Sequence, residues 1–170
     1  MISDDACEFC ISRTLDASPQ QVWRAFTDEG ALSAWWGPHG FTASARLDVR
    51  DGGAFEIVMT SADGAAYPIE GQYLSVEAPR RLVMEMSLEN HPANWHDYLA
   101  EQFTKAGGAP EQLAQVRVVT RVTLEPLDGG RTRLMIAQVY ESEAMRDAFA
   151  GMGNAEGWAQ SLDRLEQALL

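Results

Sequence analysis

Short stretches of alternating apolar and polar residues run through most of the chain. A period of two is typical of β-strands that bury one face and expose the other. Several stretches are joined by Asp-Gly turns, as at residues 51–53 and 128–130, and such links favour hairpins. The pattern therefore predicts an antiparallel meander. The predicted strands cover residues 9–15, 45–50, 55–59, 66–76, 81–88, 115–125 and 131–140.

Two short helices are predicted between the first and second strands. Ser18 is a suitable N-cap, and Pro19 occupies the first helical position, where its missing N–H removes no hydrogen bond. Asp28 can cap a second helix, and the Gly-Pro pair at residues 37–38 ends it. A helical excursion after the first strand is therefore expected.

The end of the chain predicts one long amphipathic helix over residues 157–170. Its apolar stripe contains Trp158, Leu162, Leu165 and Leu169 at helical spacing. A helix packed across one face of a curved antiparallel sheet buries this stripe and the apolar strand faces together. The predicted fold class is α+β.

Residues 89–114 interrupt the meander. Trp95, Leu99 and Phe103 lie roughly at helical spacing and precede a Gly-Gly-Ala-Pro sequence. The segment predicts a partly helical insertion with a flexible return. Connections of this length are uncommon without a purpose, and a lid is one such purpose.

Composition limits the classes of partner. The chain has 170 residues, of which 46% are hydrophobic, and is expected to form one domain over residues 1–170. Its net charge of −12 argues against nucleic acid or an anionic membrane as the main partner. No apolar stretch reaches the length of a membrane span. The acidic N-terminus does not resemble a signal peptide, so a cytoplasmic location is the default expectation.

Redox and metal chemistry have little support. Cys7 and Cys10 form a C-x-x-C sequence that reads as a redox pair or as half of a metal site. Residues three apart on a strand face opposite sides, which favours structural or incidental cysteines. His91 and His96 are five apart and miss the i, i+4 spacing of helical metal ligands. No metal and no cofactor is expected.

Five sequence stretches resemble one known family. In order, they are AWWGPHGF, LDVRDGGAFEIVM, DGAAYPIEGQYLSVEAPRRLVMEM, GRTRLMIAQVY and GMGNAEGWAQSLDRLEQAL. They resemble the activator of heat-shock-protein-90 ATPase homologue-like family, within the START-like superfamily (SRPBCC, birch-pollen-allergen-like). The resemblance extends from about residue 9 to residue 170.

This resemblance implies a helix-grip fold, in which an antiparallel sheet wraps around the C-terminal helix and leaves a cavity between them. The segment 89–114 departs from the family, where a short turn is usual. The family name is a weak guide to function, because the chaperone-activating domain accompanies a separate N-terminal domain for which this chain is expected to have no room.

The sequence around the tandem tryptophans suggests a cavity rim. Adjacent helical residues point about 100° apart, so one of Trp35 and Trp36 is expected in the core and the other at the cavity. The Gly-Pro break that follows leaves His39 and Phe41 near the mouth. His39 could act as a general base, but no partner is fixed by spacing and a surface histidine is the stronger interpretation.

Polar residues on inward strand faces are the next candidates. Gln138 and Tyr140 continue an apolar face and need a partner, a water or a ligand. Gln72 is ambiguous, because Tyr73 argues for the opposite orientation, and a bulge at Gly71 could reconcile the two. A hydrogen-bonded core network is the alternative for all of these side chains.

Methionines supply adaptable apolar walls if they face inward. Ordinary core packing is the alternative for each of them, and for the tryptophans. The predicted ligand-binding residues are Trp35, Trp36, His39, Phe41, Met59, Gln72, Met84, Met86, Gln138, Tyr140 and Trp158.

Three functions follow from these observations. The leading hypothesis is binding of a hydrophobic or aromatic small molecule in a cavity between the sheet and the C-terminal helix. The second is an enzyme of the cyclase or hydrolase type, using His39, Glu56 or Glu70 as acid or base. The third is an interaction domain like the chaperone-ATPase activators, which needs an exposed apolar patch. No catalytic residue is assigned, and a homodimer is left open.

Overall fold

A computed structural model describes residues 7–113 and 115–170. Its strands are β1 (Glu8–Leu15), β2 (Thr42–Leu47), β3 (Ala54–Thr60), β4 (Ala66–Glu77), β5 (Arg81–Ser87), β6 (Arg117–Leu127) and β7 (Arg131–Val139). Its α-helices are α1 (Pro19–Thr27), α2 (Glu29–Ser33), α3 (Ala93–Lys105), α4 (Glu143–Gly151) and α5 (Asn154–Ala168).

The seven strands form one antiparallel sheet in the order β1-β7-β6-β5-β4-β3-β2. Strands that are neighbours in the sheet are also consecutive in the sequence, as in a meander, with one exception. The exception is β1, which pairs with β7 so that Glu8 lies opposite Val139. The predicted α+β class and helix-grip arrangement are confirmed.

The two short helices begin at the predicted caps. The Ser18 hydroxyl accepts from the backbone N–H of Gln21 at 3.2 Å, and the Gln21 side chain accepts from the Ser18 N–H at 2.9 Å. Asp28 Oδ1 accepts from the N–H of Ala31 at 2.8 Å. These caps satisfy donors that a helix leaves unpaired at its first turn.

The bulge predicted at Gly71 lies instead at Leu74, where the pairing of β4 with β5 skips one residue. The extra residue reverses the alternation beyond it: Tyr73 is buried on the same face as Ile69, Leu74 is exposed, and Val76 packs against the core again. Gly71 has a different role. A Cβ atom there would lie 1.8 Å from the backbone carbonyl oxygen of Glu85, so only glycine lets the two strands approach.

Helix α5 carries the apolar stripe that the sequence predicts. Leu162 and Leu165 are fully buried in the core. Arg13 of β1 forms an ion pair with Asp163 of α5, which joins the first strand to the last helix. Helix α4, just before α5, is an addition to the predicted elements. Within the described part of the chain, no helix is long and apolar enough to cross a membrane.

Candidate functional site

A cavity of about 360 Å³ lies between the inner face of the sheet and α5. The strands β3 to β7 provide one wall, and α5 with the end of α4 provides another. Residues 36–41 and the start of the 89–114 insertion complete it. The lining residues are Trp36, Gly37, Pro38, Phe41, Met59, Tyr67, Ile69, Met86, Leu88, His91, Trp95, Val118, Gln138, Phe149, Met152, Gly153, Asn154, Gly157, Trp158 and Ser161.

The lining is mostly apolar and aromatic, and among the described residues it includes no aspartate, glutamate, lysine or arginine. An apolar cavity with a few polar groups is the usual form of a small-molecule site. A charged molecule would lose its hydration on entering, and no fixed opposite charge on the walls would compensate for that loss. The walls are therefore suited to a neutral occupant.

The tandem tryptophans divide between core and cavity. Trp35 is fully buried, and its indole N–H donates to the carbonyl of Ala25 at 2.9 Å. Trp36 lines the cavity, where its ring meets the edge of Trp158 with centroids 5.6 Å apart. The predicted split holds, and Trp35 is placed in the core and not at the cavity.

Gln138 is the centre of a buried hydrogen-bond network. Its Oε1 accepts from the Tyr140 hydroxyl at 3.0 Å, from Asn154 Nδ2 at 3.1 Å and from the Trp158 indole N–H at 3.1 Å. Its Nε2 donates to the Thr120 hydroxyl at 3.2 Å. Because an indole N–H only donates, the amide oxygen must face α5. The network fixes the wall of the cavity at this point.

Tyr140 lies behind Gln138 and not among the lining residues. Its side chain is buried, and burial raises the pKa of the hydroxyl, with a small opposing effect from its hydrogen bond to Asn154. The hydroxyl therefore stays protonated and orients the Gln138 amide. This is the core network that the sequence offered as the alternative role.

The remaining predicted residues separate into two groups. Phe41, Met59 and Met86 line the cavity. Met84 is fully buried but packs within the core away from it. Gln72 is exposed. Adjacent residues of a strand face opposite sides, so Gln72 points outward where Tyr73 points inward, and the predicted inward orientation of Gln72 is wrong.

His39 also lies outside the cavity. Its side chain is 59% exposed, and Nε2 is 4.0 Å from Asp163 Oδ2 beside a surface depression along α5. Its backbone N–H donates to Gln160 Oε1 at 3.2 Å. The Gly-Pro turn directs Phe41 inward and leaves the histidine on the surface.

His91 is a lining residue that the sequence analysis considered only as a metal ligand. It is 7% exposed, and neither ring nitrogen has a hydrogen-bond partner in the described part of the protein. Burial, and to a smaller extent nearby His96, lowers its pKa to about 4. Its position ahead of a helix rich in aromatic residues was the signal available, but only the fold shows that it reaches the cavity.

The structure also places the residues that were considered for metal and redox chemistry. Among residues 7–113 and 115–170, no three His, Cys, Asp or Glu side chains come together to hold a metal. Cys10 lies within β1, and partial desolvation and the neighbouring Glu8 raise the pKa of its thiol. Redox-active cysteines show the opposite shift.

Solved structures share this architecture over nearly the whole chain. A protein from Arthrobacter aurescens is 27% identical, with a TM-score of 0.78, and the match covers 98% of this chain and 89% of that one. A protein from Nitrosomonas europaea is 25% identical, with a TM-score of 0.74 and coverages of 98% and 96%.

The AHSA1 protein from Silicibacter pomeroyi is 20% identical, with a TM-score of 0.69 and coverages of 95% and 96%, which shows a shared fold. A comparison with curated proteins found no match. The family described as activator of Hsp90 ATPase homolog 1-like protein matches residues 16–170. The chain therefore belongs to the activator of Hsp90 ATPase homolog 1-like family, a START-like family.

Proposed function

We propose that this protein binds a neutral hydrophobic or aromatic small molecule in the cavity between the sheet and α5. The observation that supports this most strongly is the cavity itself, about 360 Å³ with uncharged, mostly apolar walls. Its volume falls within the range of about 300–1,000 Å³ that is typical of small-molecule sites.

The character of the walls favours an aromatic occupant. The Trp36 and Trp158 rings meet on one side, and Trp95 meets Phe149 with centroids 6.0 Å apart on another. Aromatic rings prefer such edge and offset contacts with further rings. Methionines such as Met59 add walls that can adapt to the shape of a ligand.

The indole N–H signals of the five tryptophans provide a direct test by NMR. Trp36, Trp95 and Trp158 line the cavity, whereas Trp23 and Trp35 do not. Titration with naphthalene, biphenyl and indole is expected to shift the first three signals and leave the other two nearly unchanged. Binding should also raise the melting temperature, because a ligand that binds only the folded state stabilises it.

Matched variants on one strand locate the site. Val118 faces the cavity, while Val119, the next residue of β6, points to the other face of the sheet. V118F fills the cavity and should weaken binding by more than about 10-fold, or about 1.4 kcal/mol. V119F should bind as the wild type does. Equal binding by both variants, or no binding of any probe by the wild type, contradicts the proposal.

The enzyme hypothesis loses the groups on which it was based. His39 and Glu56 are exposed, and Glu70 accepts a hydrogen bond from Asn90 outside the cavity. None of the three lines the cavity. An acid or base mechanism built on them has no support from their positions.

The interaction hypothesis lacks a specific surface. The family description names an activator of Hsp90 ATPase, but the exposed large apolar residues of the described chain lie on separate elements, including Leu74 on β4 and Tyr98 on α3. Chaperone binding, a homodimer and a cytoplasmic location stay predictions. Gel filtration with and without Hsp90 would test the first two.

A further inference from the structure

His91 combines burial with an unused capacity for hydrogen bonding. It is 7% exposed, and both ring nitrogens are buried without a partner in the described protein. Nearly all buried polar groups in proteins have a partner, and leaving one unpaired costs roughly 1–3 kcal/mol. Tyr73 is the other described residue with such a buried atom, but it does not line the cavity.

The contacts that hold the imidazole in place do not involve its ring nitrogens. Trp95 packs edge-on against the ring with centroids 4.5 Å apart, and Tyr67 does so at 5.4 Å. The backbone N–H of His91 donates to the carbonyl of Leu88 at 3.1 Å. Ring packing and backbone therefore hold the side chain at the cavity wall, and no described protein group engages either nitrogen.

Several other polar groups on the walls are already engaged by the protein. Gln138 bonds to Thr120, Tyr140 and Trp158. Ser161 donates to the carbonyl of Gly157 at 2.9 Å. Among the described lining residues, His91 is the one whose polar side-chain atoms are buried and lack a hydrogen-bond partner.

The chemistry of a neutral imidazole limits what it can bind. It has one N–H donor and one bare nitrogen acceptor, and its tautomers exchange these roles. The low pKa of His91, about 4, keeps the ring neutral near pH 7. A hydroxyl group both donates and accepts, so it suits either tautomer. A carboxylate or an ammonium group would enter a cavity that has no charged lining residue.

We infer that His91 is the hydrogen-bonding anchor for the hydroxyl group of a neutral hydroxylated aromatic molecule in the cavity. This inference rests on the proposed function and adds the polar group of the ligand and the residue that recognises it. The aromatic walls contact the ring system, and a small rotation of the buried imidazole presents a nitrogen to the hydroxyl. Selectivity for a phenol over its parent hydrocarbon then depends on one side chain.

The test compares pairs of probes that differ by one hydroxyl group. Dissociation constants of 2-naphthol against naphthalene, and of 4-hydroxybiphenyl against biphenyl, are measured by NMR titration of the full chain. In the wild type, each phenol should bind about 10-fold more tightly than its hydrocarbon. H91F should lose that preference while it binds the hydrocarbons within about threefold of the wild type.

His96 offers a matched control within the same segment. Its Nε2 lies 2.9 Å from the carbonyl oxygen of Glu89, and it does not line the cavity. H96F should keep the wild-type preference for phenols. H91L provides a second removal of the imidazole if the larger ring of H91F disturbs folding, which melting temperatures report.

The outcomes separate this inference from the proposed function. If the hydrocarbons bind but hydroxylation has no effect, or if H91F and H91L both keep the preference, the role of His91 is overturned and cavity binding stands. If no probe of either kind binds to the wild-type protein, the proposed function and this inference both fail.

Discussion

At the scale of single residues, burial of His91 makes the stability of the fold depend on pH. Its pKa falls from an ordinary value of 6.5 to about 4 because burial, and less strongly His96, disfavours the charged ring. Between these values the unfolded chain binds more protons than the folded protein. Stability is therefore expected to fall as pH decreases from about 6.5 to about 4, by at most roughly 3 kcal/mol from this residue.

Urea unfolding at about pH 7 and about pH 4.5 measures how much the free energy of unfolding changes with pH. Variants separate the contribution of His91 from that of the carboxylates, which also titrate in this range. H91F should lose less stability than the wild type over this interval, while H96F should differ from the wild type by less, because His96 contributes only the smaller part of the pKa shift. The difference between wild type and H91F isolates the imidazole, because both proteins carry the same acidic residues. The same loss in all three proteins would show that His91 titrates normally.

Residue orientations were predictable where one local rule acts alone. Trp35 and Trp36 lie beyond the end of α2 at Ser33, but their backbone N–H groups still donate to the carbonyl of Leu32, so the helical angle of about 100° separates the two rings. Gln72 was not predictable, because the bulge at Leu74 changes the strand parity and depends on pairing with β5. His91 needed tertiary information, since its burial arises from rings such as Tyr67 that are distant in sequence.

At the scale of elements, helix α3 belongs to the core and is not a freely swinging lid. Leu99 and Phe103 are 1% and 2% exposed. Gly108 lies flat against Phe103, since a Cβ atom there would be 2.4 Å from the ring. The Tyr98 hydroxyl donates to the carbonyl of Gly151 at 3.3 Å, which joins α3 to α4. Moving the whole helix would expose two core side chains, at roughly 3–6 kcal/mol.

F103A is therefore expected to destabilise the whole protein by about 3–5 kcal/mol, because it leaves a cavity beneath α3. The control T104A changes an exposed neighbour on the same helix and should cost less than about 0.5 kcal/mol. Chemical unfolding followed by tryptophan fluorescence and by circular dichroism measures both. A separate early loss of helix in F103A, with an unchanged main transition, would indicate that α3 unfolds independently as a lid.

Most elements were predictable because their signals are local. The strands follow period-two alternation, and Ser18 and Asp28 begin α1 and α2 through caps that the sequence displays. Helix α4 was overlooked although Ser142 caps it and Met145 and Phe149 share its buried face. It is short and lies between a strand and a longer helix, so its apolar periodicity is hard to distinguish from that of the adjacent elements.

At the scale of the whole molecule, the cavity could be expected but not its walls. Alternation and the C-terminal stripe predict a sheet packed on a helix, and the family resemblance implies a space between them. Which side chains face that space depends on register, on the bulge in β4 and on how the 89–114 segment enters the core. Met59 and Met84 show this, since both are inward and only Met59 reaches the cavity.

The overall charge should make the fold more stable in salt. The chain carries 25 acidic and 13 basic residues, a net charge of −12, and repulsion among the acidic groups opposes the compact state. Salt also weakens ion pairs, but pairs such as Arg50–Asp48 and Lys105–Glu101 are well exposed and each contributes at most about 1 kcal/mol.

Screening of the repulsion is therefore expected to dominate. Raising NaCl from about 20 mM to about 500 mM should increase the melting temperature by roughly 5 °C at neutral pH, since the Debye length then falls below the spacing of most surface charges. Thermal unfolding in NaCl and in KCl separates screening from specific ion binding, because screening depends on ionic strength alone. A melting temperature that falls with salt would mean that the ion pairs, including Arg13–Asp163 between β1 and α5, outweigh the repulsion among the acidic residues.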